Sequence, residues 1–187
     1  VTAFAKSVDV VTFEFENVPA ETTNCCARYC AVRPAGRVLY TSQNRLREKT
    51  FLANAGLPVT PFVAVTSATE LTDALRKNGT PAVLKTADWG YDGKGQIVIR
   101  SLDEAAAAWQ TLNVPKAILE SFIDFEGELS VVAVRGQHGE FVSYGPIGNS
   151  HSHHILDVSI CPAAVPNTVA AKAIDIARAV VEALDVV

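Results

Sequence analysis

Apolar residues in this chain come in short runs separated by glycine, proline and capping residues, and their spacing switches between strand and helix periods. "VDVVTFEF", Val8 to Phe15, reads as a buried strand, with the polar Glu16 and Asn17 at the carboxyl end, where open α/β sheets place ligands. Pro19 is suited to open a helix that carries through Ala20 to Ala31. After "VRPAGRVLY", Thr41 or Ser42 can cap a second helix that runs to Ala55 and ends at Gly56. "PFVAVTS" is the next strand, and Ser67 with Glu70 forms a capping box for a helix ending near Asn78 and Gly79. "AVLKTA" and "QIVIR" are strands on either side of a glycine-rich stretch. Ser101 with Glu104 then makes a second capping box before an alanine-rich helix to Leu112.

"KAILESFI", "ELSVVAVRG" and "EFVSYGPIG" follow as three strands in succession, the last two joined by a turn at Gln137 to Gly139, and predict an antiparallel sheet. "NTVAAKAIDIARAVVEALDVV" has the period of a long amphipathic helix with Asn167 as its cap. Residues 32 to 45 read as linker-like, and the chain carries neither an internal repeat nor a low-complexity segment. The pattern as a whole predicts a mixed α+β architecture.

Composition narrows the classes. An apolar fraction of 49% over 187 residues is ample for a core. The net charge of −4 arises from 20 acids against 16 bases without a basic cluster, which argues against a nucleic-acid surface. No apolar run approaches the roughly 20 residues a membrane span requires, and no signal pattern stands at the N-terminus, so a cytoplasmic protein is expected. Cys25, Cys26 and Cys30 crowd one helical segment and Cys161 lies far away; the spacing suits neither a C-x-x-C pair nor a disulfide framework, and reduced, mostly buried thiols are expected. The start "VTAFAKSV" without Met and the end "EALDVV" read as those of a piece of a longer protein.

Candidate chemistry concentrates in "KTADWGYDGKGQIVIR", Lys85 to Arg100. Gly90, Gly93 and Gly95 allow close backbone approach to a ligand, and such a loop can cover phosphate. A hairpin whose turn needs glycine would look the same. The stretch is no G-x-G-x-x-G, and Gln96 stands where a P-loop would have lysine, so a nucleotide would be held in another manner. Lys85 ends an apolar strand immediately before this loop and suits a phosphate ligand or a solvated strand end. Glu120 and Glu128 sit at strand boundaries, as edge residues or as groups for ribose hydroxyls or magnesium. His151, His153 and His154 invite a zinc reading, but no fourth ligand stands at ordinary spacing, and solvated histidines in an irregular loop are expected. There is no G-x-S-x-G, and the cysteines lie in an apolar context that disfavours thiolate.

In order along the chain, "TFEFENVP", "QNRLREKTFLANAGLPVTPF", "AVLKTADWGYDGKGQ", "AILESFIDFEGELSVVAVRG" and "NSHSHHILDVS" resemble the N5-carboxyaminoimidazole ribonucleotide synthase family of ATP-grasp ligases. The resemblance covers nearly the whole chain, with "EFENVP" and "GYDGKGQ" carrying most of it. It implies an ATP-grasp fold preceded by the end of a Rossmann-like domain, divided as residues 1–42 and 43–187, with a small lid at about 82–122. It also implies ATP and magnesium as cofactors, 5-aminoimidazole ribonucleotide and bicarbonate as substrates, carboxyphosphate as intermediate, and a homodimer without membrane or nucleic-acid partners.

By the same resemblance, Arg45 and Lys85 are phosphate-side cations, and Gly90, Tyr91, Asp92, Gly93, Lys94, Gly95 and Gln96 form the phosphate-covering loop. Tyr91, Asp92 and Lys94 would face ribonucleotide and carboxyphosphate, with Lys94 where relatives often carry arginine, losing the bidentate fork. Glu120, Ser121, Phe122 and Ile123 would meet adenine and ribose, Glu128 the ribose hydroxyls and His151 the nucleotide. Glu16, rather than Glu14, would approach the substrate. The family's magnesium ligands are expected in a C-terminal segment beyond this chain, which alone is expected to be inactive. Another ATP-grasp carboxylase or transformylase, and a non-catalytic nucleotide-binding module, remain open as alternatives.

Overall fold

A computed structural model describes residues 1–88 and 95–187. The chain divides into two compact units, one of Val1–Gln43, Glu128–Asn149 and Val158–Val187, the other of Asn44–Gly127 and Ser150–Asp157.

The first unit starts with α1 (Thr2–Ala5), β1 (Val10–Val11), α2 (Ala20–Cys26), β2 (Ala31–Val32) and α3 (Gly36–Ser42). β1 and β2 pair in parallel, Val10 with Ala31 and Val11 with Val32, so β1, α2 and β2 make a crossover of the Rossmann type. Ala5, Cys26 and Val32 form its core, with Val11, Phe13 and Cys30 packed against it. The strand expected over Val8 to Phe15 is only these two residues, because its partner is equally short. The helix expected to reach Ala31 ends at Cys26, and the stretch expected as linker contains α3. The cysteines are free thiols, but only Cys26 is buried and Cys161 is exposed.

The second unit begins with α4 (Arg45–Asn54), then β3 (Phe62–Val65), α5 (Ala68–Asn78), β4 (Ala82–Thr86), β5 (Gln96–Ile99), α6 (Ala105–Leu112) and β6 (Ala117–Ser121). The strands order as β3-β6-β4-β5, all antiparallel. β6 therefore belongs here and not with the two strands that follow it in sequence. Its Ala117, Ile118, Leu119 and Glu120 are all buried, as a central strand covered on both faces requires. Leu84, Ala82, Leu119, Ala117 and Ile99 meet Leu71 and Leu75 of α5 and Ala105 and Ala108 of α6 in one core.

β7 (Glu128–Arg135), β8 (Phe141–Ser152) and β9 (Ile155–Ile160) form a three-stranded sheet, followed by α7 (Asn167–Ala183). The β7–β8 turn closes through Gly136 and Glu140, with Gly139 at φ +91°. The expected irregular histidine loop is instead a hairpin: His153 and His154 take φ +53° and +66° between β8 and β9, as a two-residue turn demands. α7 packs on β7, and the Arg178 guanidinium lies 4.2 Å from the centre of the Phe141 ring. Asn167 is the first residue inside α7, with Pro166 before it, so the predicted side-chain cap is not formed. Asp185 bonds Arg37 at 2.7 Å and Arg135 at 3.1 Å, and these guanidinium groups hold its carboxyl below the usual range. Among the described residues, no helix is long and apolar enough to cross a membrane.

The two predicted capping boxes differ. At α5, Ser67 Oγ accepts from the Glu70 N–H at 3.2 Å, while Glu70 Oε2 accepts from the Thr66 N–H at 2.7 Å and hydroxyl at 2.8 Å. At Ser101, only the carboxylate half forms: Glu104 accepts from the Arg100 N–H at 2.8 Å and the Ser101 hydroxyl caps nothing. The hydrogen bonds from Thr66, backbone first, hold the Glu70 carboxyl below its ordinary pKa. A carboxylate held low stabilises the fold above its unfolded-state pKa, and that contribution is lost as pH falls through the folded value. Glu70→Gln is expected to lower the urea midpoint at pH 7, by a deficit that shrinks as pH falls below the unfolded-state carboxylate range; a deficit independent of pH would refute the assignment.

Candidate functional site: a carboxylate shared by two lysines

Directly opposed residues of an antiparallel pair share one face of the sheet. β4 and β6 pair Val83 with Glu120 and Lys85 with Ile118, so Lys85 and Glu120 are diagonal neighbours on the face away from α5 and α6. Lys85 Nζ donates to Glu120 Oε2 at 2.8 Å. Lys49 Nζ, from α4, stands 3.4 Å from Glu120 Oε1, an ionic contact outside hydrogen-bond geometry. The Glu120 side chain is 6% exposed, while Lys49 and Lys85 retain 20% and 24%.

Local chemistry fixes α4 against β4. Asn44 caps α4, its Oδ1 accepting from the Arg47 N–H at 3.0 Å, while its Nδ2 donates to Asp88 Oδ1 at 2.7 Å. This replaces the predicted start at Thr41 or Ser42, because the chain turns between α3 and α4. The Arg45 N–H donates to the Ala87 carbonyl at 2.9 Å, and Arg45 Nη1 donates to the Thr86 carbonyl at 3.0 Å and hydroxyl at 3.3 Å. Arg45 and Lys49 are four residues apart on α4 and so share a helix face. Gly95 closes the other side at φ +70°, where a Cβ would lie 3.0 Å from Thr86 Cγ2 and Oγ1.

One carboxylate thus faces two ammonium groups, with the Arg45 guanidinium at the exit of β4. That charge pattern suits an anion of the phosphate class. Lys49 was not singled out in the sequence, although its signal was present as the i, i+4 spacing from Arg45 within "QNRLREK".

The other predicted residues are distributed as follows. Gln96 opens β5 opposite Lys85 and is exposed. Ser121 ends β6, its carbonyl accepting from the Thr60 hydroxyl at 3.2 Å; Phe122 and Ile123 beyond it are exposed, and the Phe122 N–H donates to the Pro81 carbonyl at 3.3 Å. Gly90, Tyr91, Asp92, Gly93 and Lys94 lie outside the described residues. Glu128 belongs to the first unit, where Asn149 Nδ2 donates to it at 3.4 Å and to Ser130 Oγ at 3.0 Å. Glu16 is also in the first unit, exposed in a turn whose carbonyl accepts from Gln43 Nε2 at 2.6 Å. His151 lies on β8 with its side chain exposed. Among the described residues, no three His, Cys, Asp or Glu side chains gather as a metal site would need.

Residues 50–187 match the sequence profile of the ATP-grasp domain, and residues 1–43 that of the ribonucleotide synthetase pre-ATP-grasp domain. An N5-carboxyaminoimidazole ribonucleotide synthase of Pseudomonas aeruginosa is 41% identical over 162 residues, covering 87% of this chain and 45% of that protein. The solved ADP complex of an N5-carboxyaminoimidazole ribonucleotide synthetase superposes with a TM-score of 0.92 at 36% identity, covering 99% of this chain and 49% of the other. The Aspergillus clavatus synthase solved with ADP and 5-aminoimidazole ribonucleotide gives 0.87 at 26% identity, over 96% and 47%. The chain spans about half the length, or less, of the curated relatives it matches.

Sharing of one carboxylate makes the pair energies unequal. Glu120→Gln leaves both lysines without their counter-charge and is expected to cost about 1–3 kcal/mol of stability in urea denaturation. Lys85→Met leaves Glu120 with Lys49 and is expected to cost less; equal losses would contradict the shared arrangement.

Proposed function

From a chain that belongs to the ATP-grasp family, we propose that the protein containing it is an ATP-dependent ligase that carboxylates 5-aminoimidazole ribonucleotide to N5-carboxyaminoimidazole ribonucleotide. The observation that carries this reading is the Lys85–Glu120–Lys49 cluster, with Arg45 beside it, at the point where β4 enters the "GYDGKGQ" stretch. Support comes from relatives of that name and from the Aspergillus clavatus structure that holds ADP and the ribonucleotide together.

In this proposal ATP transfers its γ-phosphoryl group to bicarbonate, leaving ADP and carboxyphosphate. The ribonucleotide amine then attacks the carboxyl carbon, forming the C–N bond and releasing phosphate. Phosphoryl transfer asks mostly for positioned positive charge, which Arg45 and Lys85 supply. Glu120 through Ile123 meet the nucleoside end, with Glu128 and His151 as further nucleotide contacts. Tyr91, Asp92 and Lys94 of the loop from Gly90 to Gln96 act on carboxyphosphate and the amine, and Glu16 approaches the ribonucleotide. Water exclusion around carboxyphosphate protects it from hydrolysis before the amine arrives. Magnesium would neutralise phosphate charge, but the described residues gather no cage for it. Residues 1–42 are assigned to the preceding domain and 43–187 to the ATP-grasp domain with its lid at about 82–122, in a cytoplasmic homodimer.

The test is ADP release by the full-length protein with ATP and magnesium, with and without the ribonucleotide, at low and added bicarbonate. Release that needs the ribonucleotide and rises with bicarbonate is expected, and Asp92→Asn or Lys94→Ala should reduce it by about 10²-fold or more. Turnover indifferent to both compounds would refute the ligase reading. Turnover unchanged in both variants would refute the role of the loop.

A further inference from the structure

The two oxygens of Glu120 are not equivalent. Oε2 holds Lys85 at hydrogen-bond distance, whereas Oε1 is buried without a hydrogen-bond partner among the described residues and has only the Lys49 ammonium 3.4 Å away. A carboxylate this buried is costly to leave unpaired. If Lys49 were absent, any ligand that drew Lys85 toward itself would strand Glu120 as an unpaired buried charge. With Lys49 present, the carboxylate keeps a counter-ion at every stage, and Lys85 can be released cheaply.

We infer that Lys49 is a positioning residue for the nucleotide phosphate: it holds Glu120 in place and paired while the Lys85 ammonium turns from that carboxylate to phosphate. The inference rests on the nucleotide reading of the site given above. Lys49 acts through Glu120 and not by touching the phosphate. Its position follows from α4, since the Asn44 cap and the Arg45 contacts with Thr86 and Ala87 anchor the first turn of the helix, one turn before Lys49.

The distinguishing measurement compares ADP with adenosine, which lacks the phosphate that competes for Lys85. In the full-length protein, Lys49→Met is expected to raise the ADP Kd about tenfold, equivalent to about 1.4 kcal/mol, and the adenosine Kd by a clearly smaller factor. Lys49→Arg is expected to restore most of the loss, because it keeps the charge. In a Glu120→Gln background, where no buried carboxylate is left for Lys49 to hold, Lys49→Met is expected to have no further effect on the ADP Kd.

Unchanged ADP affinity in Lys49→Met overturns the inference, as does equal loss of ADP and adenosine, which would mark a purely structural role. A tenfold effect that persists with Glu120→Gln overturns it too, since Lys49 would then attract phosphate directly. Failure of the unmodified protein to bind ADP overturns the nucleotide reading itself, and the inference falls with it.

Discussion

A carboxylate on the central strand of a sheet, almost wholly removed from water, has to be paired, and the candidate site is organised around that requirement. Glu120 is placed there by the register of β6 between β3 and β4, with Phe62 on one side and Val83 on the other. Its partners reach it from different directions: Lys85 along the same sheet face, Lys49 from α4. The hydrophobic core lies on the opposite face and holds the strands in that register, so burial of Leu84 and Leu119 is what makes the ionic geometry reproducible. A slip of one residue would turn Lys85 into the apolar core.

The same site shows how a helix cap can serve a functional group. Asn44 accepts from the otherwise unsatisfied Arg47 N–H of α4 and also donates to Asp88, tying the helix start to the end of β4. That tie sets Arg45 against Thr86 and, one turn later, Lys49 against Glu120. Gly95 completes the arrangement, since its positive φ disfavours a side chain and a Cβ would crowd the Thr86 side chain at 3.0 Å.

Helices with strong local signals were legible in the sequence. Ser67 and Glu70 mark α5 and Gly79 ends it, because caps and C-terminal glycines act within a few residues. Where partners decide, the sequence pattern misled. The apolar run from Val8 to Phe15 pairs over only two residues, since a strand extends no further than the neighbour that bonds it. "KAILESFI" looked like the first of three adjacent strands, yet it inserts between β3 and β4, a choice made by distant segments. The histidines read as a loop because the turn needs φ > 0 at His153 and His154, which residue type does not announce.

For the site, residue types and their positions singled out Lys85 and Glu120 and suggested phosphate chemistry, the family resemblance added Arg45, and the match to the ATP-grasp domain over residues 50–187 agrees with that family. Those features are local or ordered in sequence, so they survive without coordinates. That Lys85 and Glu120 meet at 2.8 Å, that Glu120 is buried, and that Lys49 shares it were settled by tertiary structure alone. The reason is physical: which side chains become neighbours across 35 residues depends on strand register and helix docking, and both are fixed by the packing of the whole unit, not by the residues that come to touch.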